Sequence, residues 1–464
     1  MAKRNEMLVL VLALLITGAL LFMGLHWVVG QFAPQPQSYS TQPAQTAIAD
    51  RISSGNRGLV IANESQAKQA GVEAFAAKDF NRAIEQFKSA IQGNRNDPEA
   101  LIYLNNAQLM QNPRSSVKIA VSVPIGSNLN VAQEILRGVA QAQDEVNRRS
   151  NEKPLEVTIA NDDNDPEIAK QVAAEFVKDR KILAVVGHNA SDASIAAAPI
   201  YQKGQLPMIT PTSSADTLSS VGNYIYRVVP STRYTADVLS RYVVKRLNQK
   251  NIAICLDAKS PDSQSFTNNF ISALSSEGGR FINIGCDFSA PDFNPGTVIS
   301  KAVSSGAEGL LLSPQVDRAN SAIDVARTNQ GKLQLMGNQT LYTINTLKLG
   351  QADVNGLLLP VVWHPSAIAN NPFANNASDY WGGRVNWRTA MAYDAVQAVL
   401  TGLKQNESRE GLQKAFSKPE FAAKGATGTI QFLPSGDRNG SAILVRVQPS
   451  SQTGIGYDFV LVSP

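Results

Sequence analysis

The sequence predicts an α/β protein of two lobes, each built on a parallel sheet, with an apolar N-terminal helix and a small all-α segment ahead of them. Three observations predict this. From residue 117 onward, short apolar runs alternate with amphipathic stretches of helical period. Residues 64–110 carry apolar side chains at helical spacing with no strand between them. Residues 7–29 carry no charge. The chain has 464 residues, and at roughly 150 residues per domain it divides into about three units.

Composition narrows the function classes. The chain is 43% hydrophobic and 17% charged, which supports packed cores and excludes wholesale disorder. Its 42 Lys and Arg against 38 Asp and Glu leave a net charge of +4, too small at this length to point to nucleic acid. Two cysteines exclude a disulfide scaffold and a Cys-rich zinc module. His26, His188 and His364 lie far apart and no HExxH is present, so no metal, cofactor or enzyme chemistry is expected.

The elements follow in chain order. Lys3 and Arg4 precede the uncharged run, whose residues would rise roughly 34 Å as a helix, enough to cross a bilayer core. No small-x-small cleavage site follows, and no cysteine that could carry a lipid. Residues 1–30 therefore read as a cytoplasmic stub and an uncleaved signal anchor in the inner (plasma) membrane, with the rest of the chain extracytoplasmic, in the periplasm. Residues 31–63 are rich in Gln, Pro, Ser and Thr and read as a flexible linker.

Residues 64–112 read as a helical hairpin. Gly71, Ala74, Phe75, Phe80, Ala83, Phe87 and Ala90 share a helical period, and Asp97-Pro98 opens a further helix with Leu101, Tyr103 and Leu104 inward. The small residues let two helices approach while Phe87 fills the space between them. This spacing resembles a tetratricopeptide repeat. A single unit of that kind serves either as a surface for a protein partner or as a spacer packed on the main domain, and the sequence leaves both open.

The main domain alternates strand and helix. Strands are expected at 117–123, 155–160, 182–187, 207–210, 251–256, 281–284, 309–312 and 333–336, with helices at 131–147, 166–180 and 194–204. Ligands in open sheets of this kind sit beyond the carboxyl ends of the strands. Those ends, 122–127, 188–191, 210–214, 257–262, 313–315 and 337–340, carry Ser, Thr, Asn, Gln and a few Asp. No GxGxxG, GxxxxGK[ST] or GxSxG is present, so dinucleotide, nucleotide and hydrolase chemistry lack support. Hydroxyls and amides at helix starts suit a small polar or anionic ligand. Cys255 and Cys286 fall near the ends of two successive strands, where they read either as a disulfide or as small buried hydrophobes. His188 is expected to order a strand end, and Trp363, Trp381 and Trp387 to pack in the core or between the lobes, with the cleft rim as the alternative.

Four motifs, VVGHNAS at 185–191, AAAPIY at 196–201, PMITPTSS at 207–214 and YRVVP at 226–230, together resemble one family. It is the type I periplasmic binding proteins of branched-chain amino acid ABC transporters. RTAMAYD at 388–394 and GATGTIQF at 425–432 look like the same family's lobe helix and closing segment. The resemblance spans 115–464. It implies two lobes, about 115–232 with 365–432 and 233–362 with 433–464, joined by three crossovers near 230–234, 361–365 and 432–437. The lobes would close on ligand by a hinge.

The resemblance also implies a ligand site. The ligand carboxylate would meet the hydroxyls of Ser191 and Ser214, with Thr212 and Ser213 beside them, and neutral donors at a helix start suit such an anion. Ser127 and Gln315 lie at further strand ends facing the same cleft. The second lobe departs from the family: Asp262 stands in SPDSQSF where an aromatic residue is usual, and Gln339 stands in MGNQT where an acidic residue meets the ligand ammonium. Asp262 could supply that charge. The expected function is a membrane-anchored substrate-binding protein that delivers an amino acid or related amide to an ABC transporter permease. The alternative is a ligand sensor or partner-binding scaffold of the same fold, with the hairpin as partner surface.

Overall fold

The computed structural model describes residues 47–462. The expected signal anchor lies outside the described residues, as does most of the expected linker. No described helix is long and apolar enough to cross a membrane.

The described chain opens with a 3-10 turn at Ile48–Arg51 and the short strand β1 (Ile52–Ser53), followed by helices α1 (Gln66–Ala76), α2 (Phe80–Gly93) and α3 (Pro98–Gln111). Lobe 1 then runs β2 (Val117–Val123), α4 (Leu129–Asn147), β3 (Leu155–Asn161), α5 (Pro166–Lys178), β4 (Ile182–Val186), α6 (Ser191–Lys203), β5 (Met208–Thr210) and β6 (Ile225–Arg227). Its sheet has the order β1-β3-β2-β4-β5-β6, parallel except for β1. The central strand β2 is buried along almost its whole length, as a strand covered on both faces must be.

The linker expected over 31–63 does not extend to 47–63, which are folded. β1 adds antiparallel to β3, with Ile52 opposite Ala160. Arg51 pairs with Asp163 at 2.6 Å, and Val60 is buried. The Glu99 carboxylate accepts the Leu59 and Val60 backbone N–H groups at 2.6 and 3.2 Å. Composition misled here because Ile48, Ile52, Leu59 and Val60 are few but well placed to bury.

The helical segment closes as its small residues allow. A Cβ on Gly71 would stand 2.7 Å from the Phe87 ring, so α1 and α2 meet where only glycine fits. Asp97 caps α3 through the Ala100 N–H, with Pro98 in the first turn. Buried Lys68 is held between Asp97 at 2.9 Å and Glu99 at 2.6 Å. The segment packs on lobe 1, the alternative the sequence left open. Asn105 donates to Asp144 on α4 at 3.3 Å. The Asn106 side-chain amide donates to the Val157 carbonyl at 2.7 Å and accepts its N–H at 3.1 Å, taking the place of a neighbouring strand on β3.

Lobe 2 contains α7 (Thr232–Lys245), β7 (Asn251–Leu256), α8 (Pro261–Ser276), β8 (Arg280–Asp287), α9 (Pro295–Ser304), β9 (Gly309–Ser313), α10 (Ala319–Asn329), β10 (Gln334–Gly337), α11 (Ile344–Gly350) and β11 (Leu358–Val361). The chain returns to lobe 1 with α12 (Phe373–Trp381), α13 (Trp387–Leu403), α14 (Arg409–Phe416) and the small ribbon β12 (Ala423–Gly425) and β13 (Gly428–Ile430). It ends in lobe 2 with β14 (Ile443–Ser450) and β15 (Gly456–Leu461). The second sheet has the order β15-β14-β11-β10-β9-β7-β8, with β14 and β15 antiparallel to their neighbours. Cys255 on β7 and Cys286 on β8 are joined as a disulfide.

The chain passes between the sheets at 228–231, 362–372 and 431–442. One buried ion pair ties two of these stretches to α13. Arg438 donates to Asp394 at 3.0 Å and to the Val228 carbonyl at 3.3 Å, while Asp394 also accepts the Ala426 N–H at 2.6 Å and the Thr427 hydroxyl. Both side chains are buried.

Candidate functional site

The site begins with the loops after β4 and β5. The His188 carbonyl accepts hydroxyls from Thr210 at 2.7 Å and from Ser194 and Ser213, each at 3.2 Å. Its imidazole is wedged between Asp162 at 2.6 Å and Tyr201 at 3.0 Å, and Ser122 donates to the same Asp162 at 2.8 Å. These buried bonds lock the ends of β2, β4 and β5 together and fix the start of α6. Burial opposes ionisation of Asp162, yet its bonds to His188, the Asn164 N–H and Ser122 hold its carboxyl below the usual range.

This framework turns Ser191, the first residue of α6, and Thr212 and Ser214 toward the interlobe cleft. From lobe 2, Asp262 in the first turn of α8, Gln315 after β9 and Gln339 after β10 face them. Together they line a partly open cavity of about 70 Å³. The Ser214 hydroxyl donates to the Asp262 carboxylate, linking the two lobes across it. Burial pushes the Asp262 carboxyl above the usual range, opposed by the Ser214 bond and the charges of Arg227 and Arg388. Gln339 Oε1 is buried with no hydrogen-bond partner among the described residues.

Two expected site residues do not line the cavity. Ser213 is buried in the loop framework, its hydroxyl engaged with Ser194, His188 and Asn189. Thr212 lines the cavity while its hydroxyl donates to the Asn189 carbonyl at 2.8 Å, and Ser214 faces the cavity with its hydroxyl on Asp262. Ser127 lies in the turn before α4 and is absent from the cavity wall.

Two residues at the start of α13 complete the wall: Trp387 and Arg388. Trp387 takes the cleft-rim position that the sequence offers it beside packing in the core or between the lobes. Their signal in the sequence is a cation directly after an aromatic residue in WRTAMA, at the head of an otherwise apolar helix. Arg388 is 5% exposed, and its guanidinium lies over the Trp387 ring, 4.6 Å from the centroid. Burial lowers its pKa to about 10, opposed by the charges of Glu134 and Asp262. A second cavity of about 600 Å³ also reaches Arg388, bounded by Asn128, Asn130, Glu134 and Arg137 of lobe 1, Thr340 to Lys348 of lobe 2, and Asn96 of the helical segment.

Two sheet-based lobes, three crossovers and a polar chamber beyond the strand ends define a two-lobed solute receptor. The chain belongs to the periplasmic binding protein family, whose model matches residues 116–452. Within it the chain is of the type I, branched-chain amino acid transporter kind, a group of solute-binding proteins that are not enzymes. It is 26% identical over 331 residues to the leucine-, isoleucine-, valine-, threonine-, and alanine-binding protein of Pseudomonas aeruginosa, covering 69% of this chain and 87% of that one. Its fold is similar to the branched-chain amino acid transporter substrate-binding protein of Streptococcus pneumoniae in complex with isoleucine, with TM-score 0.66 and 18% identity over 75% of this chain and 100% of that one. It is also similar to a solute-binding protein of R. palustris in complex with 4-hydroxybenzoate, with TM-score 0.65 and 16% identity over 75% of this chain and 96% of that one.

Proposed function

We propose that this protein is the substrate-binding component of an ABC importer, held at the outer face of the plasma membrane by its N-terminal segment, and that it takes an amino acid or related amide into the interlobe chamber. One observation carries the reading. Hydroxyls from lobe 1 (Ser191, Ser214), with Thr212 beside them, face a carboxylate and two amides from lobe 2 (Asp262, Gln315, Gln339) across one cavity. Lobe 1 suits a ligand carboxylate, which hydroxyls solvate without a buried cation. Lobe 2 suits an ammonium or amide N–H, for which Asp262 and the unpartnered Gln339 Oε1 are acceptors.

A ligand that bridges both lobes favours the closed arrangement by its differential affinity for it. It also replaces the direct Ser214–Asp262 contact. The test is isothermal titration of the full-length chain in mild detergent with amino acids, their amides, urea and short peptides. A ligand at 100 times its dissociation constant adds about 2.7 kcal/mol to the folded state, so thermal shift gives an independent readout. Binding that is lost in Ser191→Ala and Ser214→Ala supports the reading; absence of binding across the panel removes it.

A second reading, a sensor or scaffold without transport, is favoured by the helical segment. It lies outside the family match and is built onto lobe 1 with its own buried ion cluster. Copurification of a permease with the full chain decides for transport, and copurification of a different protein that depends on residues 66–111 decides for the alternative.

A further inference from the structure

Arg388 is a costly residue where it stands. It is buried, and a buried guanidinium normally survives by pairing. It occupies the first turn of α13, where the helix dipole disfavours a cation. Its Nε has no hydrogen-bond partner among the described residues. The two carboxylates whose charges reach it are committed elsewhere. Glu134 binds Arg137 at 2.8 Å, the Asn386 N–H at 3.1 Å and the Thr389 hydroxyl, and Asp262 takes the Ser214 hydroxyl. The Trp387 indole N–H beside it is likewise buried and without a partner among the described residues. Both residues line the chamber.

These unused donors complement an anion, and the hydroxyl set on lobe 1 is a separate anion seat. We propose that Arg388 and the Trp387 indole N–H form a second acid-binding subsite in the chamber, and that the ligand carries two acidic groups, as an acidic amino acid does. The inference rests on the reading that the interlobe chamber receives the solute. It narrows that reading from amino acids in general to those with an anionic side chain.

Each charged group of such a ligand then has a partner. The α-carboxylate lies on Ser191 and Ser214, the ammonium on Asp262 and Gln339, and the side-chain carboxylate on the guanidinium, whose planar fork grips a carboxylate through two bonds. Asp192 in the same wall already accepts the Ala193 N–H at 2.8 Å. A neutral side chain would leave the guanidinium buried and unpaired in the closed state, which is how a site rejects a ligand lacking the group it is built to bind.

The experiment is calorimetric titration of the full-length chain with glutamate, glutamine, aspartate, asparagine, leucine, succinate, glutarate and 4-hydroxybenzoate, on the wild type, Arg388→Gln and Arg388→Lys. The expected result is that each acidic amino acid binds at least about 10-fold tighter than its amide. That ratio should fall to near one in Arg388→Gln and lie between the two in Arg388→Lys. Amide binding that survives in Arg388→Gln shows that the variant is folded.

Leucine or glutamine binding as tightly as glutamate overturns the inference and leaves the amino-acid site standing. A wild-type preference that persists unchanged in Arg388→Gln also overturns it. Succinate or glutarate binding through Arg388, with no amino acid binding, supports the subsite and removes the amino-acid reading. No binding by any dicarboxylate or acidic amino acid overturns the inference whatever the neutral ligands do.

Discussion

Replacing Asp394 by alanine should destabilise the protein through the crossovers. Asp394 is fully buried and accepts from Arg438, the Ala426 N–H and the Thr427 hydroxyl, while Arg438 is 4% exposed. Removing the carboxylate leaves a buried guanidinium without its counterion and a backbone donor without its acceptor. Breaking a buried pair from one side costs about 3–5 kcal/mol. At about 2.1 cal/mol/K of unfolding entropy per residue, the compact unit Ile48–Pro464 gains on the order of 0.9 kcal/mol of unfolding driving force per degree. The melting temperature should therefore fall by about 3–6 °C, read by differential scanning calorimetry of the purified chain. In the double variant Asp394→Ala/Arg438→Met no buried charge remains, and part of the loss should return. A fall of less than about 1 °C, or a double variant that loses the full sum of its two single variants, would refute the argument that this pair clamps the crossovers.

Ser191→Ala and Ser214→Ala should each weaken binding of a carboxylate ligand about 10-fold or more by titration, since hydrogen bonds to a charged group contribute about 1.5–3 kcal/mol; an unchanged affinity would take the hydroxyls out of the site. Affinity for an amino acid should fall on acidification, beginning at higher pH than an exposed aspartate would cause. Burial raises the Asp262 pKa, and the protonated carboxyl no longer attracts an ammonium. Asp262→Asn should flatten that pH profile, and a profile that persists in the variant assigns the effect to another group. Reducing the Cys255–Cys286 bridge, which spans a sequence separation of 31, should cost about 3–4 kcal/mol by the loop-closure relation, seen as a lower melting temperature under strong reductant.

Much of the fold was legible because burial on both faces leaves a plain trace. The run at 117–123 is apolar except for Lys118 and Ser122 and is strand β2, buried along all but Lys118. Helix starts were less legible. Asn128 caps α4 ahead of its first apolar residue, and α6 begins at Ser191 with no side-chain cap at all, because the His188 framework rather than a cap fixes its start. At the site, topology indicated the loops but not the direction of each side chain. In PMITPTSS the sequence gives no reason to separate Ser213 from Ser214, whereas the carbonyls of His188 and Asn189 draw Ser213 inward. Arg388 is not legible from the strand ends, because it enters the chamber beside Trp387 from a helix start returned to lobe 1 by the second crossover.

The stitching of the N-terminal segment decides which half of the molecule can serve as a fixed frame. β1 belongs to the first sheet, Arg51 is bonded to Asp163, and Asn106 grips β3. Anything that grips the segment from Ile48 to Val60 therefore holds lobe 1, while lobe 2 follows it through the crossovers. If the lobes hinge on a ligand, lobe 2 is then the swinging jaw and lobe 1 the anvil. A probe fixed to α8 would record ligand capture as displacement, and one fixed to α3 would stay still.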